Sequence, residues 1–211
     1  MSKNLAFTLS EVLITMSLVG VVAALTIPSI HYSKTKKEYA AKIKNFYSRM
    51  NNAILDMEMD KGSFKNMYKP SNQSKSYEWY INNIDPYYGH QFVKEEGRFN
   101  SPEVFFKDGS SLYFPDDEED CMTINYDINA LKPPNKPGYD IHSFLFCFSN
   151  TTRGVSFGNE EIFFGPYNKG VLTLETDRDN IKDYCSLTPS YCSKLLQYDQ
   201  WEFKDDYPHK F

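Results

Sequence analysis

Glu11 is the only charged residue between Phe7 and Ile30 in a 211-residue chain, and the rest of that stretch is dominated by apolar side chains. A charge at the centre of a membrane-length helix costs about 2.5–3.5 kcal/mol on insertion scales, and less near the end. A residue kept at that cost has a partner and a task. The chemistry open to it is ion pairing: a desolvated carboxylate is strongly disfavoured until an ammonium or guanidinium meets it. Two other sets of side chains have reactive or ligating chemistry. Cys121, Cys147, Cys185 and Cys192 are the four thiols. Asp127, Asn129, Asn135 and Asp140 place four side-chain oxygens in one Pro- and Gly-rich loop.

The apolar run is the element that must position Glu11. About 20 apolar residues cross a bilayer, and this run is long enough. A secretory signal peptide has a shorter apolar core, of about 7–15 residues, with its small-residue cleavage site after the core. Here the small residue, Ala6, precedes it, and Ala23-Ala24 lies inside the run. A plain signal anchor fits the length but leaves Glu11 and the leader Met1–Ala6 unexplained. The lysines point the other way: Lys34, Lys36, Lys37, Lys42 and Lys44 follow the run and only Lys3 precedes it. By the positive-inside rule the C-terminal side would be cytoplasmic. The cysteine usage points the other way, to an oxidising, extracytoplasmic compartment, and that placement of the C-terminal side is the one expected.

The run Phe7-Thr8-Leu9-Ser10-Glu11-Val12-Leu13-Ile14 resembles the N-terminus of type IV pilins and type II secretion pseudopilins. The resemblance covers roughly the first 30 residues. Ala6 stands where the commoner residue before the cut is Gly, and Ser10 where an apolar residue is usual. The resemblance implies cleavage between Ala6 and Phe7 by a prepilin peptidase on the cytoplasmic side, N-methylation of Phe7, and an assembly role for Glu11. The free amine of an incoming Phe7 would pair with Glu11 of a neighbour and set the axial register. Gly20 and Pro28 sit where related chains carry helix-loosening residues. Gly costs about 1 kcal/mol relative to Ala in a helix, and Pro removes a hydrogen bond and clashes with the preceding turn.

Beyond Lys34 the pattern changes. Tyr39, Ile43, Phe46, Tyr47, Met50, Ile54 and Met57 recur at spacings of three and four, one face of an amphipathic helix. Gly62 after Asp60-Lys61 is a helix stop. Such a face packs naturally on a sheet. The expected fold is α+β and pilin-like: a long N-terminal helix, part transmembrane and part amphipathic, on a small antiparallel sheet. The expected divisions are a leader over 1–6, a transmembrane and assembly helix over 7–30, a stalk helix over 31–61 and an extracytoplasmic head over 62–211.

Within the head, Ser74–Ile84 reads as a short helix. Val104–Lys107 and Ser111–Phe114 flank Asp108-Gly109, a hairpin signal. Met122–Ile128 and Ser143–Ser149 read as strands, and Ile162–Phe164 as a short strand or turn. Asp179–Cys185 and Tyr191–Leu196 read as helical turns, and the aromatic tail Trp201–Pro208 is expected to dock on the head. An even number of cysteines in an exported chain favours disulfides. Four cysteines allow three connectivities. Cys185 and Cys192 close the shortest loop, and Cys121 and Cys147 fall on or beside two strands able to neighbour each other, so 121–147 with 185–192 is the expected pairing. Zinc spacing is absent.

The loop from Asp127 to Asp140 resembles Asp-x-Asn … Pro-Asn-x-x-Gly-x-Asp loops of pilin-like proteins. Its oxygens are candidate calcium ligands. Asx residues beside Pro and Gly also build turns unaided, and no cofactor is otherwise implied. The acidic run Asp116–Asp120 reads as a solvated loop. The formal net charge is −5 with no basic domain, which argues against bulk capture of nucleic acid. No phosphate loop, nucleophile elbow or metalloprotease helix occurs, so an enzyme is not expected.

The expected function is structural. The chain would be a subunit of a type IV pilus or type II secretion pseudopilus, bound to like subunits, the prepilin peptidase and the inner-membrane assembly platform. It would sit in a bacterial inner membrane as a single-pass protein before assembly. The alternatives are a minor or tip subunit, or a monomeric anchored head, that binds a ligand, a surface or DNA. An exported enzyme is a third.

Overall fold

The computed structural model describes residues 8–98, 101–115, 121–148, 164–168, 172 and 176–209, without the side chains of 28–33 and 65. The cleavage pair Ala6 and Phe7, the run Asp116–Asp120, and Ile162 lie outside the described residues. The chain divides into two compact units at Glu38 and Tyr39. One helix, α1 (Leu9–Lys61), contributes to both.

In the first unit α1 carries the apolar segment Leu9–Ile27, 19 residues, long and apolar enough to cross a membrane. Its large side chains are exposed, Leu25 by 74%. The hydroxyls of Thr15, Ser17 and Thr26 donate to the carbonyls of Val12, Leu13 and Val22. These polar groups are thereby satisfied inside the helix, as an apolar solvent requires. The backbone stays helical through Gly20 and Pro28.

In the second unit α1 presents the stripe read from the spacing. Ile43, Phe46, Met50, Ala53, Ile54 and Met57 are buried, and Tyr39 and Tyr47 are half-buried. The helix stops at Gly62, whose φ of 87° suits glycine and whose N–H donates to the Glu58 carbonyl at 3.0 Å. A short 3₁₀ turn follows at Phe64–Asn66. Then come α2 (Gln73–Asn83), capped by the Asn72 side chain on the Lys75 N–H, and α3 (Asp85–Tyr88).

Among the described residues, six strands form one antiparallel meander in the order β1-β2-β3-β4-β5-β6: β1 (Phe92–Lys94), β2 (Glu103–Phe105), β3 (Ser111–Tyr113), β4 (Cys121–Asp127), β5 (Ile141–Cys147) and β6 (Phe164–Pro166). The expected hairpin at Asp108-Gly109 joins β2 to β3, with Gly109 at φ 81°. β5 begins two residues earlier than its sequence pattern and pairs Ile141 with Asp127 through to Cys147 with Cys121. Alternation then sends Met122, Ile124, Tyr126, Phe144 and Phe146 to one face. Phe46 of α1 meets that face, stacked on Tyr126 and edge-on to Phe144. Phe64 and Trp79 extend the contact to Phe146 and Phe148.

The C-terminal region supplies α4 (Arg178–Leu187) and α5 (Cys192–Tyr198). The tail docks as expected: Phe203 and Tyr207 are buried, and the Tyr207 hydroxyl donates to the Gly138 carbonyl at 2.6 Å. Arg178 clamps that tail by pairing with both Asp199 and Asp206.

Candidate functional site

Glu11 lies in the first turn of α1 and faces its own chain. One carboxylate oxygen, Oε2, accepts from the Thr8 N–H at 2.9 Å and from the Thr8 hydroxyl at 2.7 Å. The Glu11 N–H donates back to the Thr8 hydroxyl at 3.3 Å. This is a capping box: Thr8 is the N-cap, Glu11 the third helical residue, and two amide donors orphaned at the helix start find partners. The remaining carboxylate oxygen has no hydrogen bond to the described residues. Glu11 therefore has a local role, closing the start of α1 through Thr8.

The four cysteines form two disulfides, Cys121–Cys147 and Cys185–Cys192. The first joins two residues that are register partners in β4 and β5, with Cα atoms 4.3 Å apart. That separation is typical of a non-hydrogen-bonded antiparallel pair. The second ties α4 to α5. His209 approaches it, with Nε2 3.2 Å from the Cys185 carbonyl oxygen. Cys185, Cys192 and His209 are the one group of three metal-ligating side chains among the described residues, and the disulfide removes both thiolates from ligation.

The Asp127–Asp140 loop is held from inside. Asp140 is buried; its carboxylate accepts the Asn135 N–H at 2.9 Å, the Lys136 N–H at 2.6 Å and the Asn129 amide at 3.3 Å. Asp127, also buried, accepts the Asn129 N–H at 3.0 Å through one oxygen and Arg98 at 2.6 Å through the other. The Asn135 side-chain oxygen lies 3.4 Å from the same guanidinium. Three of the four candidate calcium ligands thus already carry partners, and Arg98 supplies the positive charge. Asn129 Oδ1 is buried without a hydrogen bond. The loop places Ala130 and Asn135 at φ 54° and 50°.

Arg98 is the residue that sequence reasoning missed. Its guanidinium also pairs with Glu103 at 2.5 Å, donates to the Ser111 hydroxyl at 3.0 Å, and lies 4.3 Å above the Tyr113 ring. Burial pushes the Asp127 carboxyl up to about 6, outweighing the attraction of Arg98. Across the sheet, burial pushes the His142 imidazole down to about 4, against the pull of the Tyr139 carbonyl. The signal available in the sequence was two carboxylates, Glu103 and Asp127, inside strands that are otherwise apolar or neutral.

A shallow, open depression is lined by Lys69, Pro70, Lys75, Glu78, Trp79 and Asn82. Lys75 and Glu78 pair with each other there at 2.6 Å.

Sequence comparison finds two matches. The profile of the prokaryotic N-terminal methylation motif matches residues 1–27. A second profile, described as a family of unknown function (DUF6613), matches residues 30–211. No match was found among curated proteins or among solved structures.

Proposed function

Starting from a chain that belongs to the DUF6613 family and opens with a prepilin-type cleavage and methylation signal, we propose that it is a structural subunit of a type IV pilus or type II secretion pseudopilus. The signal marks a pilin-like precursor. The finer reading is that prepilin peptidase cuts between Ala6 and Phe7, that Phe7 is N-methylated, and that the mature chain polymerises through α1. The observation that carries it is the location of Glu11: an acidic residue in the first turn of α1, at the start of its 19-residue exposed apolar segment and inside the matched motif.

In this reading Glu11 works in two stages. In the lone subunit its Oε2 caps the helix through Thr8. In the filament its other oxygen meets the α-amine of a neighbour's Phe7, so that neither charge is left bare among packed helices. Gly20 and Pro28 let the helix loosen when subunits pack or the rod is stretched. The head, stiffened by two disulfides, rides outside the membrane as a rigid body.

The test is intact mass and N-terminal sequencing of the protein from native membranes. A chain beginning at methylated Phe7 supports the reading. An intact Met1, or a cut near Ala24, overturns it.

A further inference from the structure

Two loop tips stand side by side in the second unit, next to Tyr39 and Lys42 of α1. The Lys42 ammonium bridges them, donating to the Asp108 and Ile128 carbonyls at 3.2 Å each. Tyr39 steadies the second tip: its hydroxyl accepts from Asn129 at 3.2 Å and its ring packs edge-on to Tyr139. The outward side chains of the tips are Lys107, Lys132 and Lys136, all exposed, together with Leu131, which is 56% exposed. Asp108 is the sole exposed acidic side chain in residues 107–110 and 129–138. Asp127 and Asp140 are turned inward and buried. A chain of net charge −5 therefore gathers positive charge at this end.

We propose that this end of the head is a docking surface for an anionic phospholipid bilayer. The lysines match anionic headgroups in charge. Leu131 is an apolar side chain set among them, as in proteins that rest on a membrane interface. Pro133, Pro134 and Pro137 lack backbone N–H groups, so the tip has fewer donors to desolvate on entering the interfacial zone. Asp140 and Arg98 hold the loop in shape beforehand, which lowers the ordering cost of docking. The inference rests on the reading that residues 9–27 sit in a bilayer. The rival occupant is the acidic surface of a second copy of this chain.

The experiment uses the full chain in nanodiscs of phosphatidylcholine, with or without phosphatidylglycerol. Spin labels are placed separately at Leu131→Cys and Val19→Cys; the described native cysteines are all in disulfides. Collision with oxygen reports lipid, and collision with a water-soluble nickel chelate reports water. The expected result is a Val19 label in lipid in both discs, and a Leu131 label whose oxygen-to-nickel ratio rises several-fold only in anionic discs. The rise is expected to vanish in the Lys107→Gln, Lys132→Gln, Lys136→Gln triple variant. Its fold is checked by near-UV circular dichroism, and the single variants stand in should it fail to fold. A Leu131 label in water in both discs, with the Val19 label in lipid, overturns the docking surface alone. A Val19 label in water overturns the membrane reading itself. A Leu131 label shielded from both reagents, with spin–spin broadening that grows with copies per disc, assigns the surface to a second copy and overturns the lipid proposal.

Discussion

Phe46 on α1 and Tyr126 on β4 lie nearly parallel, with ring centroids 4.0 Å apart and planes 13° from each other. Both rings are fully buried. Phe46 also meets Tyr88 and Phe144 edge-on, so one side chain joins α1, α3, β4 and β5. Phe46→Ala is expected to cost about 3–5 kcal/mol through lost burial and the cavity left behind. Leu55→Ala, on the exposed face of the same helix, is expected to stay within about 0.5 kcal/mol. Denaturant midpoints of the detergent-solubilised chain measure both.

On the proposed function, substitutions at Thr8 and Glu11 separate capping from assembly. Thr8→Ala removes the N-cap and is expected to cost about 1 kcal/mol of local helix stability while filaments still form. Glu11→Ala and Glu11→Gln are expected to insert and be processed normally, yet give no filaments. Sheared-filament recovery and N-terminal mass measure the two effects. Wild-type filament yield from Glu11→Ala would remove the pairing role.

His142 and Asp127 predict opposite dependences on pH. The His142 imidazole is depressed to about 4 in the fold, against an unfolded value near 6.5. The unfolded chain binds the extra proton between those values, so this residue's contribution to stability rises with pH from about 4 to about 6.5. Asp127 is raised to about 6 from 3.8. The folded chain binds the extra proton there, so its contribution is fullest below about 3.8 and declines as pH rises through 6. The wild type should therefore gain on His142→Gln in melting temperature as pH rises through the first window. Its advantage over Asp127→Asn should shrink through the second. Parallel pH profiles of wild type and variant would contradict the assignment.

The two disulfides close loops of different length. Cys121 and Cys147 are 26 residues apart, and Cys185 and Cys192 only 7. On the loop-entropy scale the long closure is worth about 3.5 kcal/mol and the short one about 2.5 kcal/mol. Replacing both cysteines of the first pair by Ser is expected to lower the guanidinium midpoint more than the same change in the second. The reverse order would place the stabilisation in native packing rather than in chain closure.

Much of the architecture was legible because each signal was local. The three-and-four spacing from Tyr39 to Met57 marked the buried stripe, Gly62 its end, and Asp108-Gly109 the hairpin. β1 was not legible. Three residues carry no usable period, and Phe92 is held by stacking on Phe105, a partner supplied by the sheet. The Arg98 cluster was hidden for a related reason. Glu103, Ser111 and Asp127 lie on three different strands, and the register brings them together: Ser111 faces Asp127, and Phe105, two residues from Glu103, faces Ser111. The Asp127–Asp140 loop was legible as a special turn, but not the choice of backbone N–H groups and Arg98 as partners of its carboxylates.

The meander has a consequence for the order of synthesis. Each strand pairs with the next in sequence, so the sheet is built from near-neighbour contacts of the kind that form quickly. The buried stripe of α1 is made earlier, and Phe46 precedes Tyr126 by 80 residues. At about 5–20 residues per second, roughly 4–16 s separate the two on the ribosome. For that interval Ile43, Phe46 and Met50 have no sheet to cover them. On the proposed function, the export pathway must shield the stripe as a nascent, sticky helix before the head exists to receive it.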